Sequence, residues 1–310
     1  MKLHVYQAEF EELTSLVAHE KHISESAVRR DYAIVRLLKN LADSPYAEQC
    51  VFKGGTSLSK CYPGSIERFS EDIDLTFLGM ELGDKECDRT IKKIEGTMTV
   101  GAETEKISTE RSNRSKSMYV WFEDPLDKIK LEIGSTVRPD PFLKKQIKTY
   151  IQEYLEMHGF EEDVKRYELC SVELNTLGIE RTFVDKVMSV KRHAICGTLG
   201  SKVRHIYDIK KLYFMPEIQE FISDDHQLQR LVRLTKETDS YYLGKRNIPA
   251  TYDPDGPYAF DACRDSLDGT VRNNYEKLHE TLLFTDEKQV FKDAVEVLEK
   301  IDARFRQIGE

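Results

Sequence analysis

Two long stretches near the start of the chain carry apolar residues at helical spacing. They cover residues 8–21 and 24–42, and the second has an apolar residue at every third or fourth position. That apolar stripe consists of Val28, Tyr32, Val35 and Leu38. Ser24 can cap the helix, and Glu25 places a negative charge in its first turn. We therefore predict two N-terminal helices that serve as scaffold.

Short strand patterns follow in the centre of the chain. Apolar runs, strand-forming residues or clean alternation predict strands at 50–53, 73–78, 117–122, 128–133 and 167–174. Residues 98–137 as a whole are expected to supply strands of an antiparallel set. Between these strands, helical patterns predict helices from residue 56 to 61, at 84–96 and, with basic character, at 142–157.

The remainder of the chain is almost entirely helical in pattern. Helices are predicted at 180–196, 202–213, 216–222, 226–243, 270–284 and 287–307. Residues 244–260 are rich in Gly and Pro, which predicts a long loop. We therefore predict an α/β (α+β) fold, with a mixed sheet and flanking helices in a domain of residues 1–175 and an all-helical domain of residues 176–310.

Composition limits the classes of function. The chain has 310 residues, of which 40% are hydrophobic and 33% charged, and its net charge is −9. No apolar run approaches the roughly 18 residues of a membrane span, and the charged N-terminus does not resemble a secretory signal. The six cysteines are scattered without a C-x-x-C pair, which favours reduced thiols in a cytoplasmic protein. The acidic balance argues against nucleic-acid binding by the whole surface, although a local basic groove is compatible with it.

The stretch Val51–Phe77 carries the chemistry. Gly54 and Gly55 follow an apolar strand and precede a helix, so that backbone N–H groups can approach a phosphate closely, and Thr56 adds a hydroxyl. Asp72 and Asp74 alternate with apolar residues, so both carboxylates project from one face of a strand, about 7 Å apart. Carboxylate oxygens are ligands for Mg²⁺. Together these residues suggest metal-assisted phosphoryl or nucleotidyl transfer.

The same residues carry a family resemblance. KGGTSLSKCY and RFSEDIDL resemble the first motif of the polymerase-β-like nucleotidyltransferase superfamily, and more narrowly the AbiEii/AbiGii toxin family, which includes the MenT toxins. The resemblance implies the fold of that superfamily, with Mg²⁺ in a two-metal site and an NTP as substrate. Asp72 and Asp74 are then expected to hold the metal, and Gly54, Gly55 and Thr56 the nucleotide.

A third carboxylate is expected from the neighbouring strand. Residues 128–133 alternate, which places Glu132 on the polar face, and the resemblance assigns to Glu132 the completion of the metal site and the activation of the attacking hydroxyl. Relatives usually have Asp at this position. The alternative is a surface glutamate paired with a lysine. Asp124 and Asp127 compete for the same role, but they lie at a turn.

A second candidate group lies in the basic segment 180–211, which has eight Lys or Arg and three Asp or Glu. Such a segment suits a triphosphate or an RNA backbone, or is a solvated helix face. The resemblance implies that Lys186 contacts nucleotide phosphates. Arg204 and Asp208 lie at i and i+4, so they form either a structural ion pair or an active-site pair. His205 stands where many relatives have a second basic residue.

The resemblance finally implies a biological role. It suggests the toxin of a bacterial type IV toxin–antitoxin or abortive-infection system, with a cognate antitoxin as partner and the 3′ end of tRNA as acceptor, so that translation stops. Nucleotidylation of a protein and non-catalytic binding of a nucleotide or RNA are the alternatives. Contacts with tRNA are expected on segment 180–211 and on three lysines, Lys144, Lys145 and Lys148.

Overall fold

The computed structural model describes most of the chain. The described residues are 1–243, 248–249, 252–285 and 287–310. They divide into two compact units. The first consists of Met1–Cys61 and Phe69–Leu177, and the second of Tyr62–Arg68 and Gly178–Glu310. A short segment that follows the first glycine-rich motif in sequence is thus part of the second unit. The predicted domain division after residue 175 stays a prediction.

The first unit contains six α-helices and a single seven-stranded sheet. The helices are α1 (Gln7–Lys21), α2 (Glu25–Ala42), α3 (Gly54–Cys61), α4 (Asp84–Met98), α5 (Tyr150–Met157) and α6 (Glu161–Arg166). The strands are β1 (Cys50–Lys53), β2 (Asp72–Phe77), β3 (Glu103–Lys106), β4 (Ser115–Trp121), β5 (Ile129–Gly134), β6 (Phe142–Ile147) and β7 (Val172–Leu177). Short 3-10 turns connect some of them, at Leu3–Val5, Ala47–Gln49, Ser108–Glu110 and Pro125–Asp127.

The sheet is mixed, and its strand order is β3-β4-β5-β2-β1-β7-β6. The pairs β2–β5 and β1–β7 are parallel, and the other neighbouring pairs are antiparallel. The expectation that 98–137 contributes only antiparallel pairing is therefore wrong for β5, which pairs antiparallel with β4 but parallel with β2. Pattern reveals which face of a strand is buried, whereas strand direction depends on partners that are distant in sequence.

The N-terminal helices form as predicted. The hydroxyl of Ser24 accepts a hydrogen bond from the Ala27 N–H at 3.1 Å, and helix α2 begins at the next residue. Every residue in the apolar stripe of α2 is buried, with at most 2% of its surface exposed. Within the same unit the ammonium of Lys60, on α3, lies 2.7 Å from the carboxylate of Asp31, on α2. This buried ion pair ties α3 to the scaffold.

The predicted helix at 142–157 is wrong in its first half. Residues Phe142–Ile147 form edge strand β6, which pairs with β7 from Phe142↔Leu177 to Ile147↔Val172. The helix begins only at Tyr150, where the hydroxyl of Thr149 accepts a hydrogen bond from the Gln152 N–H at 2.9 Å. The first half of the segment lacks a buried face, because most of its side chains are exposed at the sheet edge. Pairing with β7, rather than burial, therefore decides its structure.

The second unit is built from helices. They are α7 (Ile179–Ile195), α8 (Val203–Tyr213), α9 (Pro216–Ser223), α10 (Asp225–Leu243), α11 (Asp261–Arg264), α12 (Gly269–Glu276), α13 (Leu278–Thr281) and α14 (Phe291–Gln307). A 3-10 turn at Leu199–Lys202 precedes α8. Part of the predicted loop 244–260, namely 244–247, 250 and 251, lies outside the described residues.

The predicted fold class is confirmed. A mixed sheet with flanking helices is followed by a helical C-terminal part, as the α/β (α+β) expectation requires. In the described ranges of the chain, no helix combines the length and the apolar character needed to cross a membrane.

Candidate active site

The junction of β1 and α3 brings backbone close to a carboxylate. Strand β1 ends at Lys53, and α3 begins at the next residue, Gly54, which has φ +85°. A Cβ atom at Gly54 would lie 2.2 Å from Oδ2 of Asp74, far closer than non-bonded atoms approach. Both the left-handed backbone and the contact with Asp74 therefore require glycine at this position.

The two predicted metal ligands on β2 share one face. Asp72 and Asp74 are partly exposed, whereas the intervening Ile73 is fully buried. The hydroxyl of Thr56, on α3, donates a hydrogen bond to the backbone carbonyl of Asp72. A hydroxyl has a single donor hydrogen, so in this arrangement Thr56 supports the strand. Binding of a phosphate by Thr56, as predicted, would require its hydroxyl to rotate.

Parallel pairing places the third predicted carboxylate beside the other two. In the register of β2 and β5, Asp74 is opposite Glu132 and Asp72 is opposite Lys130. Residues opposite each other on paired strands project from the same face of the sheet. The face therefore presents three carboxylates and one ammonium. The competitors are engaged elsewhere: Asp124 caps the turn at Leu126, and Asp127 pairs with Arg29 at 3.1 Å.

The third carboxylate, that of Glu132, is already paired with Lys130. Its ammonium forms an ion pair with Glu132 and a second one with Glu110 at 2.8 Å. Burial by itself would lower the pKa of Lys130, but the two glutamates outweigh it and raise the pKa above its usual value. Lys130 therefore stays positively charged, and the glutamate–lysine pair expected of a surface residue is present. A role of Glu132 toward a metal stays a prediction.

The donor set suits a hard cation in kind. Asp72, Asp74 and Glu132 offer only carboxylate oxygens, which Mg²⁺ prefers, and the cradle at Gly54 allows Asp74 to lie against the backbone of the strand–helix junction. As their side chains stand, no three His, Cys, Asp or Glu residues of the described chain converge as metal ligands. Glu132 would have to leave Lys130 to join such a set.

In the second unit, two of the predicted residues meet. The ammonium of Lys186, on α7, lies 2.8 Å from Oδ2 of Asp208, on α8, and both side chains are buried. Arg68 completes the cluster: its Nε and Nη2 each donate a hydrogen bond of 2.7 Å to Asp208, one to each carboxylate oxygen. Burial alone would raise the pKa of Asp208, but Arg68 and Lys186 hold that pKa well below its usual value. Asp208 is therefore an anion at any working pH.

The two neighbours of Asp208 on α8 behave differently. Arg204 is exposed, and the ion partners of Asp208 within the described chain are Arg68 and Lys186, so the i, i+4 ion pair with Arg204 is not formed. His205 lies 3.1 Å from the hydroxyl of Ser189. Burial and the charge of Lys186 hold the pKa of His205 well below 6.5, so its ring is neutral near pH 7.

The three lysines predicted to contact RNA are partly committed to other partners. Lys144, on β6, forms an ion pair with Glu48, and Lys148 pairs with Glu156 at 2.6 Å. Lys145 is the next residue of β6 after Lys144. Their predicted role stays a prediction, and any RNA bound there would compete with exposed ion pairs that contribute little stability.

Arg68 is the residue that the analysis of the sequence missed. Arg68 is the first residue of the motif RFSEDIDL. No role was predicted for it, because its partner Asp208 is 140 positions away in sequence. The available signal was an arginine fixed close to two aspartates within one motif. Nothing local in the sequence indicates which carboxylate such an arginine binds.

Comparisons with known proteins bear on the family and the fold of the chain. A sequence model of the family described as "Nucleotidyl transferase AbiEii toxin, Type IV TA system" matches residues 36–297. Among solved structures, the fold is similar to that of MenT4, a nucleotidyltransferase toxin from Mycobacterium tuberculosis H37Rv, with a TM-score of 0.50 and 19% sequence identity over 95% of this chain and 97% of that chain. Identity at that level speaks for the fold alone. No curated protein sequence matches the chain.

Proposed function

The chain belongs to the family of AbiEii nucleotidyltransferase toxins of type IV toxin–antitoxin systems, and from this premise we propose that it transfers a nucleoside monophosphate from an NTP to the 3′ end of tRNA. Pyrophosphate would be released, and the modified tRNA would no longer support translation. Membership of the family also implies an antitoxin as partner. The tRNA acceptor, the metal and the roles of individual residues are parts of this proposal.

One observation carries the proposal: Asp74 lies against the backbone of Gly54, beside Glu132 in the β2–β5 register. A strand–helix junction at which backbone N–H groups are accessible is suited to phosphate. Carboxylates on the adjoining strand are suited to a cation that neutralises phosphate charge. The contact at Gly54 supports the assignment of both features to one site in the first unit.

The proposed roles follow from the chemistry of each group. Gly54 and Gly55 would present backbone N–H groups to the phosphates, and Asp72 and Asp74 would hold Mg²⁺. The bound cation would neutralise charge on the phosphates. The acceptor hydroxyl oxygen bonds to the α-phosphorus, the bond to the bridging oxygen of pyrophosphate breaks, and the hydroxyl proton passes to a carboxylate. Glu132 is the candidate for that base, on condition that its pairing with Lys130 opens.

A labelling experiment tests the proposal. Purified protein is incubated with total bacterial tRNA, Mg²⁺ and each α-labelled NTP in turn, alongside the variants Asp72→Ala and Asp43→Ala. Asp43 is an exposed carboxylate at the end of α2, paired with Lys39, and serves as the matched control. Label on tRNA is expected with the wild type and Asp43→Ala, and a loss of at least 100-fold with Asp72→Ala, since removal of groups that stabilise the transition state typically costs this much.

Other outcomes assign a different function. If label appears on proteins of a lysate while tRNA ends stay unchanged, the acceptor is a protein. If no acceptor is labelled, or if Asp72→Ala remains fully toxic in cells, the chain acts by binding a nucleotide or RNA and the catalytic proposal is wrong.

A further inference from the structure

We infer that Arg68 is a positioning residue for nucleotide binding: it fixes the carboxylate of Asp208 and, through it, the ammonium of Lys186. The inference rests on the proposed function and on the expectation, from the family resemblance, that Lys186 contacts nucleotide phosphate. Arg68 itself is given no contact with the nucleotide.

The pair of Arg68 and Asp208 is bidentate. Arg68 uses two N–H groups of one planar guanidinium to bind both oxygens of Asp208, each at 2.7 Å. Such a bidentate pair fixes the rotation of the carboxylate as well as its place. Oδ2 then also receives Lys186 at 2.8 Å. Arg68 therefore orients the carboxylate of Asp208, and that carboxylate sets the position of the Lys186 ammonium.

All three charged side chains of the cluster are buried. The side chains of Arg68, Asp208 and Lys186 are 4%, 0% and 7% exposed. Removing one partner from a buried ion pair costs far more than removing an exposed one, because the remaining charge is left without compensation. The cluster is accordingly stiff, which is what the placement of a cation for a phosphate requires. Flexible surface lysines lack this property.

The segment that carries Arg68 is anchored to other parts of the second unit. Tyr62–Arg68 belongs to the second unit. The carboxylate of Glu67 lies 2.6 Å from the ammonium of Lys211, and its backbone carbonyl accepts a hydrogen bond of 2.8 Å from the Phe284 N–H. Arg68 forms an antiparallel bridge with Leu283. The backbone at Glu67 and Arg68 is thus anchored within the second unit, so the Arg68 side chain starts from a fixed position beside Asp208.

The chain then connects this support to the carboxylates of the first unit. Only three residues, 69–71, separate Arg68 from Asp72. A single short motif therefore contributes the strand with the predicted metal ligands to one unit and the support of Lys186 to the other. This explains why an arginine belongs in RFSEDIDL, which the metal site alone does not.

The test measures NTP affinity by isothermal titration calorimetry with Mg²⁺ and each NTP, for Arg68→Lys, Lys186→Ala and the double variant. Lysine keeps the charge but loses the bidentate fork. Arg68→Lys is expected to weaken NTP binding about 10-fold or more and to raise KM for the NTP more than it lowers kcat. Since Arg68 acts through Lys186, the double variant is expected to bind as weakly as Lys186→Ala alone.

The matched control is Arg306→Lys. Arg306 forms another arginine–aspartate pair of the second unit, with Asp302 at 2.7 Å, and lies outside segment 180–211, so NTP affinity is expected to stay at the wild-type value. As a second measurement, Arg68→Ala is titrated with guanidinium ion, which is expected to restore NTP affinity, whereas ammonium at the same concentration is not. Thermal unfolding shows that each variant is folded.

The inference is overturned if Arg68→Lys binds NTP like the wild type, or if the losses from Arg68→Lys and Lys186→Ala multiply in the double variant. If Arg68 only stabilised the fold, the two losses of NTP affinity would be independent and would multiply in this way. Failure of the proposed function has a different signature: no acceptor is labelled by the wild type, whereas NTP affinity still reports on Arg68.

Discussion

Replacement of Gly54 by alanine tests the architecture of the site most directly. The residue has φ +85°, and a left-handed backbone costs an L-residue about 1–2 kcal/mol. The added Cβ would stand 2.2 Å from Oδ2 of Asp74, and ordinary contacts begin at 3.4 Å, so the carboxylate must retreat by about 1 Å. A displacement of that size in a catalytic arrangement costs about 100-fold in rate.

We therefore expect Gly54→Ala to lose about 1–3 kcal/mol of unfolding free energy and about 100-fold in nucleotide transfer. The control is Gly159→Ala in the same unit. Gly159 has φ +76°, and nothing lies within 4 Å of the position that its Cβ would take. It should show a similar loss of stability, and its transfer activity per folded molecule should match the wild type.

The assay combines urea unfolding with transfer of label from an α-labelled NTP to tRNA. If Gly54→Ala keeps wild-type transfer per folded molecule, Asp74 is not needed at its observed place, and the reasoning about the β1–α3 junction is refuted. If Gly159→Ala loses transfer as well, backbone strain in general, rather than displacement of Asp74, explains the effect.

Two further predictions concern charged groups of the first unit. Lys130→Gln frees Glu132 from its ion pair. Mn²⁺, whose binding is followed by electron paramagnetic resonance, serves as a probe of the Mg²⁺ site, and its affinity should rise several-fold in Lys130→Gln and stay unchanged in Lys128→Gln. Equal affinities in both variants would argue against Glu132 as a ligand. Burial and the charge of Arg36 lower the pKa of His4 to about 4, so the unfolded state binds more protons than the folded state between about pH 4 and 6.5. Stability should fall as pH decreases through that window, and His4→Gln should flatten the dependence in urea titrations; an unchanged slope would contradict the assignment.

Local pattern predicted the parts of the molecule that depend on near neighbours. Alternation along β2 placed Asp72 and Asp74 on one face, and alternation along β5 placed Glu132 on its polar face, because a strand repeats every two residues. The cap at Ser24 and the buried stripe of α2 followed from equally local rules. The family motif supplied what periodicity cannot, namely the expectation that a Gly-Gly turn and an Asp-x-Asp strand belong to one site, and in the structure Gly54 does lie against Asp74.

Features that depend on a distant partner could not be predicted in this way. The parallel register of β2 and β5 places Glu132, rather than Lys130, opposite Asp74, and alternation along either strand does not reveal that register. The same holds for β6, whose mostly exposed side chains have no periodicity of burial and whose structure comes from β7.

The cluster of Arg68, Asp208 and Lys186 shows why a sequence can reveal some members of a side-chain cluster and not the others. Asp208 was predicted to pair with Arg204, because the two residues lie at i and i+4 on one helix. Spacing on a helix makes a contact possible, but burial decides it: Asp208 is fully buried and Arg204 is exposed, so the carboxylate needs cations that can reach the interior. Lys186 and Arg68 meet that need from α7 and from the segment before β2. A buried carboxylate thus indicates that buried cations exist, and only the fold identifies them.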